Sequence, residues 1–150
     1  MTTDRIPPDR LAHPLIVDVA IDVNSLAEMA QFYESMLQYE RAWDRPGHVY
    51  LVDPSGLGPH VYLQQVPEPR TAKNRLHLDI VVPSLPAAVE QAVRLGASRV
   101  EERRTAYTWF EVLADPEGNL FCLVDLATWQ QSKPPWWQHG DDSQVTTGST

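Results

Sequence analysis

The hydrophobic and polar positions of this chain follow one pattern that occurs twice. The first copy opens with alternating residues from Leu15 to Val23, which is typical of a strand with one buried face. Apolar residues at spacings of three and four then predict a helix over residues 25–38, with Asn24 or Ser25 as its cap. Three shorter strands are predicted next, at residues 40–45, 48–53 and 60–66. The first unit therefore reads βαβββ.

The same order returns after a polar, proline-rich segment at residues 67–74. Residues from Arg75 to Val82 alternate, and a helical pattern then starts near Leu85 and ends before Gly96. Three further strands are predicted, at residues 98–104, 107–114 and 120–125. An Asp-Pro-x-Gly turn precedes the last strand of each copy. A repeat of this kind predicts an α+β fold in which two βαβββ modules form a curved mixed sheet around a central cup.

The pattern also divides the chain into three predicted regions. Residues 1–13 lack periodicity and are expected to be a flexible arm, and residues 14–127 form the domain, with modules at 14–66 and 75–126. Residues 128–150 are a polar tail that we expect to be partly disordered. Exposed indoles are unfavourable, which favours docking of Trp136 and Trp137 on the domain or on a partner chain, with fraying beyond them, over a wholly disordered tail.

Composition and charge exclude several classes of partner. The chain of 150 residues is long enough to bury a single core, and its formal charge of −8 repels phosphate backbones and anionic membrane surfaces. We therefore expect neither nucleic acid nor a membrane as partner. The single Cys122 cannot form an internal disulfide, and the first ten residues have prolines and charges where a secretion signal needs an apolar run. A cytoplasmic location is expected.

Polar residues share one face of each module. If the helices cover the apolar faces, the opposite faces line the cup, and Asp18, Arg75, His77 and Asp79 point into it. His77 is then a general base or ligand, or a pocket histidine paired with an aspartate. Asp18 is a proton acceptor, or the ion-pair partner of Arg75. Further pocket candidates are Gln64, Cys122, Tyr62, Trp43 and Trp109. Cys122 is a thiolate nucleophile, a metal ligand or, as favoured by its apolar neighbours, a small buried hydrophobe.

Several motifs together resemble one known superfamily. They are the Asp22–Leu26 segment leading to Phe32–Leu37, His77 ahead of Ser84 and Leu85, the Leu95–Ala97 segment, and the Asp115–Asn119 turn. This set resembles the vicinal oxygen chelate (VOC) superfamily of glyoxalase I, the extradiol dioxygenases and the bleomycin resistance proteins, and in particular its glyoxalase-like branch. The resemblance implies a homodimer with the site at or near the contact between subunits.

The resemblance also assigns four metal-ligand positions, which fall on Asp18, Gln64, His77 and Cys122. Only His77 keeps the residue that is usual in the metal-using members. Gln and Cys stand where two glutamates are usual, which removes two of the anionic oxygens that hold a hard divalent ion. No cofactor is therefore expected, with a divalent metal as the alternative.

Three functions follow as hypotheses. The first is a glyoxalase-like protein that holds a small organic molecule in the cup without a tightly bound metal, with His77 and Asp18 or Asp79 moving protons in a lyase-type or isomerase-type reaction. The second is a non-catalytic small-molecule or antibiotic-binding protein of the resistance type. The third, and least favoured, is a metal-dependent lyase or dioxygenase with an atypical ligand set.

Overall fold

The structure, a computed structural model, describes residues 14–132. The predicted arm at residues 1–13 and the predicted docking of Trp136 and Trp137 lie outside the described residues. In chain order the elements are β1 (Asp18–Val23), α1 (Leu26–Leu37), β2 (Glu40–Arg45), β3 (His48–Val52), β4 (His60–Gln65), β5 (Asp79–Val82), α2 (Leu85–Arg94), β6 (Ser98–Arg104), β7 (Trp109–Ala114), β8 (Leu120–Asp125) and α3 (Leu126–Gln131). Within the described residues, no helix is long and apolar enough to cross a membrane.

The strands form two four-stranded mixed sheets, one for each module. The first has the order β1-β4-β3-β2 and the second has the order β5-β8-β7-β6. In each sheet the first strand of the module pairs in parallel with the last, and the other pairs are antiparallel. The predicted α+β fold of two βαβββ modules is confirmed. Within residues 14–132, however, the two sheets remain separate and do not close around a cup.

Both helices pack on the apolar faces of the sheets and build one core. Met29 and Ala30 of α1 are fully buried, as are Leu51 and Leu63 of the first sheet. The second module contributes Leu85, Ala92, Leu113, Phe121 and Leu123 to the same cluster. Because the helices cover these faces, the opposite face of each sheet carries the polar positions of the alternating pattern.

The first helix also joins the two modules through the turn between β7 and β8. The hydroxyl of Tyr33 donates to Asp115 Oδ2 over 2.7 Å, and both residues are buried. The carboxylate of Glu117 accepts from the backbone N–H groups of Asn24 and Ser25, at 2.9 Å and 2.6 Å for Oε1. The side chain of Ser25, at the N-cap position, makes no capping bond. A carboxylate from the second module therefore lies at the start of the helix of the first, where it is electrostatically favoured.

Three predicted strands start later in the structure, and one observed helix was not predicted. The strands predicted to start at Leu15 and Arg75 begin only at Asp18 and Asp79. In the second module the cause is Asn74, whose side-chain amide accepts from the backbone N–H of Leu120 at 2.9 Å and also donates to its carbonyl oxygen. This side chain takes the hydrogen bonds that an extended β5 would make.

The other two differences lie near the end of the domain. The strand predicted from Tyr107 begins at Trp109, because Thr105 and Thr108 form a hydrogen-bonded turn before it. The sequence pattern also missed α3, in which the Asp125 side chain caps the helix by accepting from the backbone N–H of Thr128. The predicted boundary between residues 127 and 128 thus falls inside a helix.

Candidate functional site

Three side chains with different donor atoms converge on the polar face of the second sheet. His77 Nδ1 lies 2.9 Å from Asp79 Oδ1 and 3.8 Å from Cys122 Sγ. One donor atom from each residue falls within 4.8 Å of the other two. The side chains of His77 and Asp79 are about half exposed, at 50% and 60%, whereas Cys122 is buried. The cluster therefore opens to solvent on the His77 and Asp79 side.

Strand pairing explains why these residues meet. Asp79 opens β5 and lies opposite Cys122 in the parallel ladder with β8. The backbone N–H of Cys122 donates to the carbonyl oxygen of Leu78 over 2.8 Å, which keeps the chain before β5 beside β8. Residues two apart on a strand share a face, so His77 lies on the same side as Asp79.

The thiol of Cys122 is held in its protonated form. Burial raises its pKa to about 11, and the charge of Asp79 and a hydrogen bond to that carboxylate act in the same direction. Asp79 and Cys122 also face the same imidazole nitrogen, whereas a relay of protons from a thiol to a carboxylate needs both nitrogens of the ring. The arrangement is therefore not a cysteine nucleophile activated by a His–Asp pair.

The polar face of the first sheet carries a carboxylate within a group of aromatic rings. Tyr50 donates to Asp18 Oδ1 over 2.5 Å. Burial, and then this hydrogen bond to Asp18, raises the pKa of Tyr50 to about 12. The ring of Tyr50 stacks on Trp43, with 5.3 Å between centroids, and Tyr62 meets Trp43 edge to face. The hydroxyl of Tyr62 and His48 Nδ1 lie 2.7 Å apart in a hydrogen bond. Asp18 is thus anchored beside a stacking surface.

The remaining predicted site residues do not all join these two groups. Gln64 lies on the polar face of the first sheet, paired with Asp22 and His48 in the neighbouring strands. Arg75 is exposed in the segment before β5, and no ion pair between residues 14 and 132 joins it to Asp18. The alternative that Arg75 satisfies Asp18 is therefore wrong, because Tyr50 already does so.

Trp109 is placed on the opposite face from the one predicted. Its indole N–H donates to Glu102 Oε1 over 2.9 Å, and the guanidinium of Arg104 lies 4.5 Å from the centre of its ring. Trp109 alternates with Phe110 and shares its face with Glu111, which is buried and ion-paired with Arg99. It is therefore a wall of the helix side of the second sheet, not of the polar face.

Two cavities in the structure lie away from both polar faces. One, of about 540 Å³, lies between α2 and strands β6 and β7, with Val89 and Trp109 in its walls. The other, of about 580 Å³, lies beside the start of α1 and the turn between β2 and β3. Neither is lined by Asp18, Gln64, His77 or Cys122. We place the candidate site on the polar sheet faces because the chemically versatile groups converge there.

Sequence reasoning missed two groups on the polar face of the first sheet. His48 and Tyr50 alternate along β3 with Val49 and Leu51, which are buried on the helix side. That alternation was visible in the sequence, and it places both polar rings on the face that carries Asp18.

The four superfamily ligand positions do not form a single metal site in this chain. Among the described residues, the His, Cys, Asp and Glu donor atoms close enough to share an ion are those of His77, Asp79 and Cys122, and Asp18 on the first sheet is not among them. The set is also chemically mixed, with an amide and a protonated thiol where the metal-using members have carboxylates. A hard divalent ion does not fit this set.

The fold is that of a two-module protein of the VOC type. A family model described as "Glyoxalase-like domain" matches residues 18–124. This chain therefore belongs to the glyoxalase-like domain family. A comparison with functionally curated proteins gave no match.

Solved structures of low sequence identity have the same fold. A glyoxalase/bleomycin resistance protein/dioxygenase family enzyme from Burkholderia phytofirmans PsJN superposes with a TM-score of 0.64 at 19% identity, covering 73% of this chain and 97% of its own. The fosfomycin resistance protein FosX from Listeria monocytogenes superposes with a TM-score of 0.67 at 13% identity, and the match covers 81% of this chain and 99% of FosX. A mutant of that FosX superposes with a TM-score of 0.62 at 15% identity, and the match covers 74% of this chain and 88% of the mutant. The mutant was solved with Mn(II) and 1S,2S-dihydroxypropylphosphonic acid. At these identities the similarity establishes the fold alone.

Proposed function

We propose that this protein binds a small organic molecule against the polar and aromatic faces of its sheets, and that His77 with Asp79 transfers a proton in a lyase-type or isomerase-type reaction without a tightly bound metal. The observation that carries this proposal is the 2.9 Å contact between His77 Nδ1 and Asp79 Oδ1 on a half-exposed face. A catalytic acid or base must reach its substrate, and this exposure leaves that access open.

The contact between His77 Nδ1 and Asp79 Oδ1 gives the two ring nitrogens of His77 different roles. A carboxylate accepts hydrogen bonds and does not donate them, so it favours the tautomer of His77 with the proton on Nδ1. Nε2 then carries the lone pair that takes a proton from a bound ligand. Asp79 stabilises the imidazolium that forms, and the neutral thiol of Cys122 supports the ring from the buried side. Of the two aspartates considered as partners of His77, Asp79 is favoured because Asp18 is bonded to Tyr50.

The aromatic rings of the first sheet supply the binding surface. Trp43, Tyr50 and Tyr62 lie together on the face that carries Asp18. Flat rings bind flat ligands through a large apolar contact area at little conformational cost, and their polar edges orient the ligand. The same observation favours the second candidate function, a non-catalytic binding protein of the resistance type, in which the His77–Asp79 pair only holds the ligand.

A homodimer completes this proposal. Among residues 14–132 both polar faces are open, and β1 and β5 are edge strands with no strand on their outer side. Large apolar side chains are exposed in the segments that lead into these two strands. They are Leu15, Ile16, Val17 and Leu76. A second copy placed along these edges would cover the apolar side chains and enclose the polar faces. We retain a cytoplasmic location in the same proposal, supported by the free thiol of Cys122.

The test begins with the ligand. Native mass spectrometry of the full chain, purified in the presence of a chelator, identifies a small molecule that remains bound. That molecule is then incubated in D₂O with wild type, with His77→Gln and with the control Glu90→Gln, an exposed side chain on α2 away from both polar faces. We expect wild type and the control to introduce deuterium at a carbon of the ligand, and His77→Gln to bind it without exchange.

Two results would change the conclusion. Equal exchange in wild type and His77→Gln would remove the role of the imidazole. Binding without exchange in all three proteins would establish the non-catalytic function instead.

A further inference from the structure

The second module has a cavity on the helix side of its sheet that the proposed function does not use. It has a volume of about 540 Å³ and lies between α2 and strands β6 and β7. Sites for small organic molecules typically have volumes of about 300–1,000 Å³. Val89 and Val93 of α2 form one wall, and the indole of Trp109 forms another. The cavity therefore has the size and the apolar walls of a ligand site.

The repeat explains why helix and sheet are not bridged at this place. When the N-cap residues Ser25 and Ser84 are aligned, Glu34 of the first module corresponds to Val93 of the second. Glu34 bridges α1 to β2 by accepting two hydrogen bonds from Arg41, at 2.8 Å and 2.7 Å. Val93 cannot make such a bridge and is 44% exposed. An apolar side chain is thus left uncovered at the cavity.

A buried carboxylate in the cavity wall also distinguishes the second module from the first. When the turn residues Asp53 and Asp115 are aligned, Glu111 corresponds to Val49, and both residues are 3% exposed. The fold therefore does not require a charge at this position. Burying a carboxylate is unfavourable unless a partner satisfies it, and Arg99 does so by donating two hydrogen bonds to Glu111.

The charges around the cavity do not balance. Arg99 lies between two carboxylates, since it is bound to Glu111 and its Nη2 is 3.9 Å from Glu102 Oε2. The other two charged side chains in the walls belong to α2, form an ion pair with each other and add no net charge. One negative charge is therefore left over. Its side is set by Glu102, which is half exposed and accepts from the indole N–H of Trp109 over 2.9 Å.

We propose that this cavity is a second binding site, which takes a small organic cation with an apolar ring or chain. The apolar part packs between α2 and the indole of Trp109 and covers Val93, and this burial supplies most of the affinity. The cationic group lies beside Glu102, where the unbalanced negative charge selects a cation over an anion. The site is on the opposite face of the sheet from His77, so its ligand differs from the molecule of the proposed function.

Titration of the full chain with 2-phenylethylammonium tests the site. The matched probe is 3-phenylpropanoate, which has the same ring on a chain of similar length but a negative charge. ¹⁵N NMR spectra follow the indole N–H of Trp109 and the backbone amide of Val89. We expect 2-phenylethylammonium to shift both signals and to bind at least about 5-fold more tightly than 3-phenylpropanoate, as for one partly exposed ion pair.

Two variants locate the charge that selects the cation. Glu102→Gln removes the charge but keeps an oxygen that accepts from Trp109, and it should weaken binding of the cation by about 3- to 5-fold. The control is Glu101→Gln. Glu101 lies on the other face of β6, opposite Val112, and pairs with Arg103. This variant should leave the affinity within about 1.5-fold, because solvent and salt screen the more distant charge. Circular dichroism confirms that both variants are folded.

Three results would each overturn the proposal. They are an absence of shifts at Trp109 and Val89 with about 10 mM 2-phenylethylammonium, equal affinity for the two probes, and an equal loss of affinity in the two variants. Shifts found only at Asp79, Cys122 and Tyr50 count as the first of these results. The titration uses neither His77 nor deuterium exchange, so this proposal and the proposed function fail separately.

Discussion

The buried hydrogen bond between Tyr33 and Asp115 should make the two modules unfold as one unit. Tyr33 lies in the helix of the first module, and Asp115 lies in a turn of the second, with both side chains about 2–3% exposed. Tyr33→Phe removes the hydroxyl donor and leaves Asp115 Oδ2 buried without it. The other oxygen, Oδ1, keeps its bonds from the backbone N–H groups of Glu117 and Asn119.

The expected loss follows from the type of bond. A hydrogen bond to a charged group contributes about 1.5–3 kcal/mol to the free energy of unfolding. Because the Asp115 carboxylate keeps two other donors, the loss in Tyr33→Phe should lie in the middle of this range, at about 2 kcal/mol. The matched control is Tyr39→Phe. The Tyr39 hydroxyl donates over 3.1 Å to the neutral carbonyl oxygen of Pro59, and Tyr39 itself is only half-buried. The control should lose about 0.5–1 kcal/mol.

Urea unfolding followed by circular dichroism measures both variants. With a slope of about 2 kcal/mol per molar, Tyr33→Phe should lower the midpoint by about 1 M. One transition is expected in each protein, because side chains of both modules share one core. A loss in Tyr33→Phe no larger than that in Tyr39→Phe, or two separate transitions in wild type, would refute the reasoning.

Three further changes test the site and the assembly. Asp79→Asn removes the negative charge beside Cys122, so the pKa of this thiol should fall from about 11 and iodoacetamide should alkylate it faster at pH 9, as followed by mass spectrometry. Tyr50 has a pKa raised to about 12 in the folded protein, so its contribution to stability should be complete below pH 10 and be lost between pH 10 and 12, and Tyr50→Phe should reduce the fall of stability over this range in urea titrations. If the proposed dimer forms along β1 and β5, wild type should have the mass of a dimer in light scattering and Leu76→Glu that of a monomer, whereas Val100→Glu, at an exposed position away from these strands, should leave the mass unchanged.

Much of the fold could be predicted because the signals are local. Alternation over a few residues predicts each strand, and the bounds predicted for β2, β6 and β8 coincide with those observed. The start of β5 could not be predicted in this way. It depends on the side chain of Asn74, which bonds to Leu120, 46 positions away in the chain. No pattern within one segment shows such a contact.

The candidate site was only partly predictable for similar reasons. The parallel pairing of the first and last strands of the module brings Asp79 beside Cys122, and it follows from the βαβββ order. Trp109 illustrates the limit. The buried face of β7 carries Glu111, whose burial depends on its ion pair with Arg99 in β6. A charged residue on the core face hides the alternation that would have placed Trp109 on that face.

The separation of Asp18 from His77 depends on how the two sheets sit relative to each other. The repeat predicts that both modules present polar faces, but it does not determine whether one chain closes them around a cup. Here Tyr50 is the partner of Asp18, and the two sheets stay open. The partner of each aspartate is thus decided by contacts across strands.

The most direct test of the account is to locate the bound small molecule on the protein. We expect ¹⁵N NMR spectra of the 17.0 kDa chain, recorded with and without the ligand, to show their largest shifts at the backbone amides of Asp79, Cys122 and Tyr50. Shifts confined to Val89 and Trp109, in the walls of the cavity beside α2, would contradict the assignment of function to the polar sheet faces.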